Sequence, residues 1–160
     1  MPSLPYALYR DAVAAEWIDY NGHMNLAYYV LAFDKGSDVL LDHLGLGAAY
    51  RREANHSLYV LEAHLTYDQE VKLGDPLLIE TQLVDADAKR LHIFHRMRHA
   101  DQGFLAATTE LMALHVDLGG PRSAPFPAAA QAAIEALLAE HRRLPPPPQL
   151  GRSISIRRRG

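Results

Sequence analysis

The chain of 160 residues contains no cysteine, and this absence excludes several kinds of chemistry. Disulfides, thiolate nucleophiles, cysteine-ligated zinc and iron–sulfur clusters all require the thiol. No apolar run approaches the ~20 residues that span a bilayer, and we expect no signal peptide. With 49% hydrophobic and 22% charged residues, the composition is that of one globular domain, for which a reducing, cytoplasmic location is the natural expectation.

Net charge is also small, at −3, but it is unevenly distributed. Residues 1–140 carry 10 basic and 19 acidic side chains, whereas the segment after residue 140 carries 6 arginines and no acid. An acidic body argues against nucleic-acid binding, which needs a basic face. Phosphate-binding glycine motifs and HExxH are absent, and His92, His95, His99 and His115 do not share one strand face, so we predict no metal site.

The apolar pattern predicts an α+β fold. Residues 26–44 repeat apolar side chains at helical spacing and end at two glycines, which predicts one long helix, against which another element packs closely at Gly36 and Ser37. The remaining elements are predicted as strands at 6–18, 58–71, 77–84, 90–99 and 104–117, a helix at 128–143, and an extended proline run at 145–148. The last four strands are expected to form a meander, and the sheet to cover the long helix.

The loop before the long helix contains the residues best suited to chemistry. Asp19 is its only acid, and a carboxylate there could attack an acyl carbon or activate water. The unpaired N–H groups of the helix N-terminus could stabilise an oxyanion. The same residues also permit a purely structural interpretation, in which Asp19 caps a turn and Asn21 and Asn25 cap the helix.

Three segments together resemble a known family. Residues 17–25 read Trp-Ile-Asp-Tyr-Asn-Gly-His-Met-Asn, residues 61–67 read Leu-Glu-Ala-His-Leu-Thr-Tyr, and residues 73–77 read Leu-Gly-Asp-Pro-Leu. With Tyr28-Tyr29 in the helix, they are similar to hotdog-fold acyl-CoA thioesterases of the 4-hydroxybenzoyl-CoA thioesterase type, over roughly residues 6–117. The resemblance implies a five-stranded antiparallel sheet around one central helix. It divides the chain into a hotdog domain (1–127), a C-terminal helix (128–144) and a proline-rich spacer with a basic tail (145–160).

The resemblance also implies roles for individual residues. Asp19 would be the catalytic carboxylate, and the backbone around Met24 and Asn25 would bind the oxyanion. His23 would contact the acyl group or brace Asp19, or be only structural. Many relatives carry a second Asp where this chain has Trp17, which indicates a different subgroup. No cofactor is implied, because CoA is part of the substrate.

A narrower resemblance concerns thioesterases associated with carnitine breakdown, which would make the substrate betainyl-CoA instead of a generic short or aromatic acyl-CoA. It rests on residues 17–25, 89–92 and 124–127. Trp17, Tyr20 and Tyr28 could bind a trimethylammonium group through their ring faces, or be ordinary packing residues. Asp34, Asp38 and Asp42 form an acidic row that could assist or simply be solvated.

Sites in this family lie between subunits, so we expect a homodimer or homotetramer. Glu62 and His64 share one face of a strand, where they could take part in the site or lie at a surface or interface. Arg152 and Arg157 could bind the CoA phosphates, or the tail could be a solvated arm. Two alternatives to a thioesterase stay open: a non-catalytic hotdog module that binds acyl-CoA or only assembles, and a CoA-dependent hydratase.

Overall fold

The computed structural model describes residues 5–158, so the outermost ends of the first and last predicted segments, including Arg159, lie outside the described residues. Six strands run in the order β1 (Tyr6–Ala12), β2 (His56–Tyr67), β3 (Pro76–Ala86), β4 (Arg90–His99), β5 (Leu105–Asp117) and β6 (Arg122–Ser123). The helices are α1 (Leu26–His43), α2 (Ala48–Ala54) and α3 (Ala128–His141). A five-stranded antiparallel sheet packed against α1, with α3 at the C-terminal end, confirms the predicted architecture.

The strand order corrects one predicted connection. The order is β1-β3-β4-β5-β2, with β6 beside β5, so only β3, β4 and β5 form a meander. β2 pairs with β5 instead of β3, and the link over residues 68–75 is longer than the turn of a tight hairpin. This link runs beneath the loop before α1, where the Met24 N–H donates to the Val71 carbonyl (3.1 Å). β2 is therefore an edge strand.

α1 contacts the sheet closely at its centre, as the small residues predict. A Cβ added at Gly36 would lie 2.7 Å from Ile79 Cγ2. Next to it, Ser37 Oγ is 2.8 Å from His95 Nε2, and Thr81 Oγ1 is 2.7 Å from His95 Nδ1. Burial lowers the pKa of His95 to about 3, so the ring is neutral. This buried network fixes the rotation and height of α1 on the sheet.

A bulge in β2 breaks the alternation of its side chains between the two faces of the sheet. The pairing with β5 shifts register between Val60 and Glu62. Downstream of the bulge Ala63 and Leu65 line the groove beside α1, whereas upstream of it Val60 lines this groove and Tyr59 does not. One extra residue inverts the alternation, because successive side chains of a strand point to opposite faces.

Two segments outside the sheet were incompletely predicted. α2 was not predicted as a helix, since its sequence has no apolar stripe and none of its residues is buried. The proline-rich spacer lies on the outer face of the sheet: Pro147 is buried, and Glu110 Oε2 accepts a hydrogen bond from the Gly151 N–H (2.9 Å). Within residues 5–158, no helix is long and apolar enough to cross a membrane.

Candidate active site

The loop between β1 and α1 forms a tight turn at Asp19. The Asp19 N–H donates to the His23 carbonyl (3.0 Å), and the Gly22 N–H donates to the Asp19 carbonyl (3.0 Å). Gly22 has a φ of 78°, in the left-handed region that favours glycine. Because Asp19 and His23 are directly opposite in this short hairpin, their side chains leave from the same face.

The Asp19 carboxylate has one oxygen engaged and one available. Its Oδ1 accepts a hydrogen bond from the Asn21 N–H (2.8 Å), as a turn-capping aspartate does. In the part of the chain that the structure describes, Oδ2 has no hydrogen-bond partner, and the side chain is only half-buried. Capping and chemistry are therefore compatible, because one oxygen orients the carboxylate and the other can reach a substrate or a water.

The start of α1 provides one available N–H group. Asn25 caps the helix through its side chain, as predicted, by accepting from the backbone N–H two residues later (3.0 Å). The N–H of Met24 donates to Val71, and that of Asn25 donates to the Trp17 carbonyl (2.8 Å), so neither is free to bind an oxyanion in this structure. The Leu26 N–H, the first of the helix, has no acceptor among residues 5–158.

His23 is braced by a residue that the sequence did not single out. Its Nε2 lies 3.1 Å from Glu70 Oε2, and both side chains are partly exposed. Residue 70 was predicted to lie inside a strand, whereas it belongs to the link that passes beneath the loop. Only the strand order reveals this proximity.

The aromatic residues near Asp19 differ in how open they are. Trp17 is only 6% exposed and stacks on Tyr28, with 5.8 Å between ring centroids, and Lys35 Nζ lies 5.3 Å from the Trp17 ring centroid. Tyr20, in contrast, is 99% exposed at the tip of the turn. Trp17 and Tyr28 therefore pack on each other, and the Trp17 ring is covered by the protein itself.

An open apolar groove lies on the opposite flank of α1, between the helix and β2. This groove has a volume of about 460 Å³, and its lining includes Ala27, Val30, Asp34, Val60, Ala63 and Leu65. A second cavity of about 370 Å³ shares Asp34 and continues past Asp38 and Asp42. Burial, with Asp34 and Asp42 nearby, raises the pKa of Asp38. The groove begins in the first turn of α1, immediately after the Leu26 N–H.

Glu62 and His64 lie on the outer face of the sheet. They share a face, as predicted, and line a cavity of about 280 Å³ with His92, Glu110 and Arg152. His92 Nε2 lies 2.8 Å from Glu110 Oε1. Within one protomer the sheet separates these residues from the groove between α1 and β2.

The tail arginines and the histidines are separate features. Arg152 also lines a cavity of about 390 Å³ with His64 and Thr66, whereas Arg157 is exposed. His95 and His115 have different hydrogen-bond partners, in different parts of the core. Among residues 5–158, no three His, Asp or Glu side chains are placed to bind a metal ion.

Comparison with known proteins identifies the family. Residues 13–134 match the thioesterase-like superfamily. A betainyl-CoA thioesterase of Pseudomonas aeruginosa is 45% identical over 148 residues, which cover 92% of this chain and 93% of that protein. An L-carnitine dehydrogenase/betainyl-CoA thioesterase of Rhizobium meliloti is 40% identical over 154 residues, 96% of this chain but 31% of that longer protein.

A solved structure agrees with these sequence relatives. A Staphylococcus aureus protein in complex with CoA superimposes with a TM-score of 0.87 at 32% identity, covering 93% of this chain and 94% of that one. The match covers nearly the whole of both chains, which supports the predicted resemblance and the predicted class of enzyme. The chain belongs to the thioesterase-like superfamily, and it is a thioester hydrolase built on the hotdog fold.

Proposed function

We propose that this enzyme hydrolyses betainyl-CoA to betaine and CoA, with Asp19 as its catalytic carboxylate. One observation supports the role of Asp19. Its carboxylate is held through Oδ1 in the turn that leads into α1, while Oδ2 is available. The similarity to betainyl-CoA thioesterases over nearly the whole chain supports the choice of substrate.

In the proposed reaction the thioester carbonyl lies between Asp19 and the N-terminus of α1. Its oxygen accepts a hydrogen bond from the Leu26 N–H, and the helix dipole stabilises the charge that develops there. Asp19 either attacks the carbonyl carbon, forming an anhydride that water cleaves, or takes a proton from the attacking water. In both routes the C–S bond breaks, CoA leaves as a thiolate, and no cofactor is needed.

The test follows CoA release with a thiol reagent, for which a protein without cysteine gives no background. We expect Asp19→Asn to lose about 10³-fold or more in kcat, as removal of a catalytic carboxylate does. Asp101→Asn, in an exposed turn, is the matched control. Full activity of Asp19→Asn, or failure of the wild type to hydrolyse any of betainyl-, acetyl-, butyryl- and benzoyl-CoA, would overturn the proposal.

A single turnover in ¹⁸O-water tests for the nucleophilic route. If Asp19 is the nucleophile and water then attacks the Asp19 carbonyl of the anhydride, the product acid of the first turnover takes its new oxygen from the unlabelled carboxylate, and the label enters Asp19. If Asp19 activates water, or if water attacks the acyl carbonyl of the anhydride, the label appears directly in the product, so label in Asp19 is the outcome that identifies the nucleophile. Mass spectrometry of the product and of the peptide containing Asp19 reads both outcomes.

We assign recognition of the trimethylammonium group to Asp34, on the groove flank of α1. A carboxylate at the edge of an apolar groove is suited to a quaternary cation, which cannot donate hydrogen bonds and favours a partly dry anionic site. Because Lys35 and Tyr28 cover Trp17, we do not place the cation on that ring. Tyr20 is the aromatic residue near Asp19 with both ring faces open to a substrate.

We further propose that a second copy of this chain completes the site. The edge strand β2 and the adjoining flank of α1 expose Val60, Leu61 and Val30, of which Leu61 is 58% exposed. An exposed apolar edge strand favours pairing with another strand. Pairing of two copies through β2 would cover the groove and bring Glu62 and His64 of each copy to the boundary between them.

The basic tail completes the proposal at the other end of the substrate. Arg152 lines two cavities on the outer face and is the better candidate for the CoA phosphates, and exposed Arg157 follows it on the same arm. We expect Arg152→Gln to raise KM several-fold for an acyl-CoA but not for the matching acyl-pantetheine, which has no nucleotide phosphates. An equal effect on both substrates would contradict this role.

A further inference from the structure

The flank of α1 away from the groove contains a partly exposed cation, Lys35, that nothing in the proposed reaction uses. Lys35 Nζ lies 3.2 Å from Asp11 Oδ2, and the Tyr9 hydroxyl donates to the same oxygen (2.5 Å). The ammonium also lies 5.3 Å from the Trp17 ring centroid and 5.9 Å from that of Tyr9. One carboxylate and two aromatic rings thus surround a lysine of the protein itself.

These contacts connect three separate elements. Asp11 and Tyr9 belong to β1, Trp17 to the loop, and Lys35 to the third turn of α1. The Trp17 carbonyl in turn accepts the hydrogen bond from the Asn25 N–H (2.8 Å), which ties the beginning of the loop to the cap of α1. Asp19 lies between these two tied points, so its position depends on Trp17.

The charges of this group are mutually supportive. Burial opposes ionisation of Asp11, but hydrogen bonds from Tyr9, Ala12 and Lys35 outweigh it and lower its pKa. The hydrogen bond to Asp11 raises the pKa of Lys35, so the pair is ionised across the neutral range. A permanent cation over an indole ring holds it by cation–π attraction as well as by packing.

We infer that Lys35, anchored by Asp11, is a positioning residue for the hydrolysis: it holds Trp17 and thereby sets the placement of Asp19 relative to the start of α1. This inference rests on the proposed role of Asp19. A displacement of about 1 Å at a reacting group can cost about 10²-fold in rate, so a contact outside the site can govern kcat.

The test replaces Lys35 by Met, which keeps an unbranched stem and removes the charge. We expect kcat to fall about 10-fold or more with little change in KM, and the emission of Trp17, the single tryptophan, to shift because the ammonium no longer covers it. Lys35→Arg, which keeps a cation, should recover most of both. Lys89→Met, an exposed lysine in the β3–β4 turn, is the matched control for charge removal.

Asp11→Asn supplies the second arm. If Asp11 acts on Trp17 only through Lys35, Asp11→Asn and Lys35→Met have similar effects on kcat, and the double variant has a kcat no lower than that of either single variant. A fall in melting temperature with kcat and Trp17 emission unchanged would overturn the inference, since a merely structural contact predicts that pattern. If Asp19→Asn is fully active but the Trp17 emission of Lys35→Met still shifts, the proposed function fails and the contact to Trp17 stands.

Discussion

The two flanks of α1 are built from similar residue types but are used differently. On the β1 flank an acid, a base and aromatic rings contact one another, and the Lys35 cation is paired internally with Asp11. On the β2 flank the carboxylates of Asp34 and Asp38 form no ion pair within residues 5–158; Asp34 lines the apolar groove, and Asp38 lines the cavity that continues from it. On the satisfied β1 flank the charges are paired within the protein and can hold the Asp19 loop in place. On the unsatisfied β2 flank the unpaired carboxylates are available to bind a cationic ligand.

This difference explains why the residue types in and near the Asp19 loop are a poor guide to substrate contacts. Trp17 lies two residues before Asp19 in sequence and stacks on Tyr28, yet both rings belong to the satisfied flank. Asp34 lies 15 residues away in sequence but opens onto the groove that begins at the helix start. Substitutions on the two flanks should therefore fail in different ways, and the following predictions use that contrast.

Among the substitutions that compare the two flanks, the largest effect is expected from Leu61→Lys, on the exposed edge of the open flank. A lysine on an edge strand opposes strand pairing between copies, and we expect a monomer with about 100-fold lower kcat/KM. Light scattering after size exclusion measures the mass, and thiol release measures the activity. Leu73→Lys, an equally exposed leucine in the β2–β3 link, should alter neither. A dimeric, fully active Leu61→Lys would show that the open flank is not an interface between copies.

Asp34→Asn is expected to have the next largest effect, and a selective one. Loss of a partly desolvated charge pair should lower kcat/KM for betainyl-CoA by about 10- to 100-fold. Butyryl-CoA, which has no cation, should be hydrolysed at least as well as by the wild type. Asp101→Asn serves again as the control. Equal losses of kcat/KM on both substrates would mean that Asp34 supports the fold of the groove and does not recognise the charge of the acyl group.

Much of this arrangement could be predicted from the sequence, but not the contrast between the flanks. The helix stripe from residue 26, the strand spacing and the 17–25 motif were sufficient for the fold, for the enzyme class and for the placement of Asp19 at the start of α1. These are local signals, in which a few consecutive residues determine the outcome.

The features that could not be predicted depend on contacts distant in sequence. Glu70 braces His23, and Asp11 anchors Lys35, only because the sheet places β1 and the link after β2 on either side of the loop. The bulge after Val60 is equally invisible, since it depends on how β2 pairs with β5, and a strand pattern alone does not reveal that partner. The edge position of β2 follows from the same pairing.

Gly36→Ala tests the close contact of α1 with the sheet, between its two flanks. The added Cβ would lie 2.7 Å from Ile79 Cγ2, so α1 must lift or Ile79 must shift. Overpacking of this kind costs about 1–3 kcal/mol, partly offset by the higher helix propensity of alanine. Urea denaturation measures the change in the free energy of unfolding. An unchanged or higher stability would show that α1 is not held tightly at this point.

The smallest effect is expected from a change of pH. It distinguishes the buried His95 network beneath α1 from the contacts of Lys35 with Asp11 and Trp17 on the β1 flank. His95 has a folded pKa of about 3, against an ordinary value of 6.5, because it is buried. Between these values the unfolded chain binds more protons, so the stability that His95 contributes is complete above pH 6.5 and decreases as the pH falls, by at most about 1.4 kcal/mol per unit. Burial also lowers the pKa of His115 and His141, so the stability that these residues contribute changes with pH in the same direction.

The informative quantity is therefore the difference between the wild type and His95→Gln, whose unfolding free energy should depend less steeply on pH between 7 and 5. Asp11, with a lowered pKa, stays ionised throughout that window, so the Trp17 emission of the folded wild type should not change while its stability falls. If the unfolding free energies of the two proteins depend equally on pH, His95 is not buried in its neutral form. A shift of the Trp17 emission across the same pH range would mean that the Lys35–Trp17 contact and the His95 network are not independent.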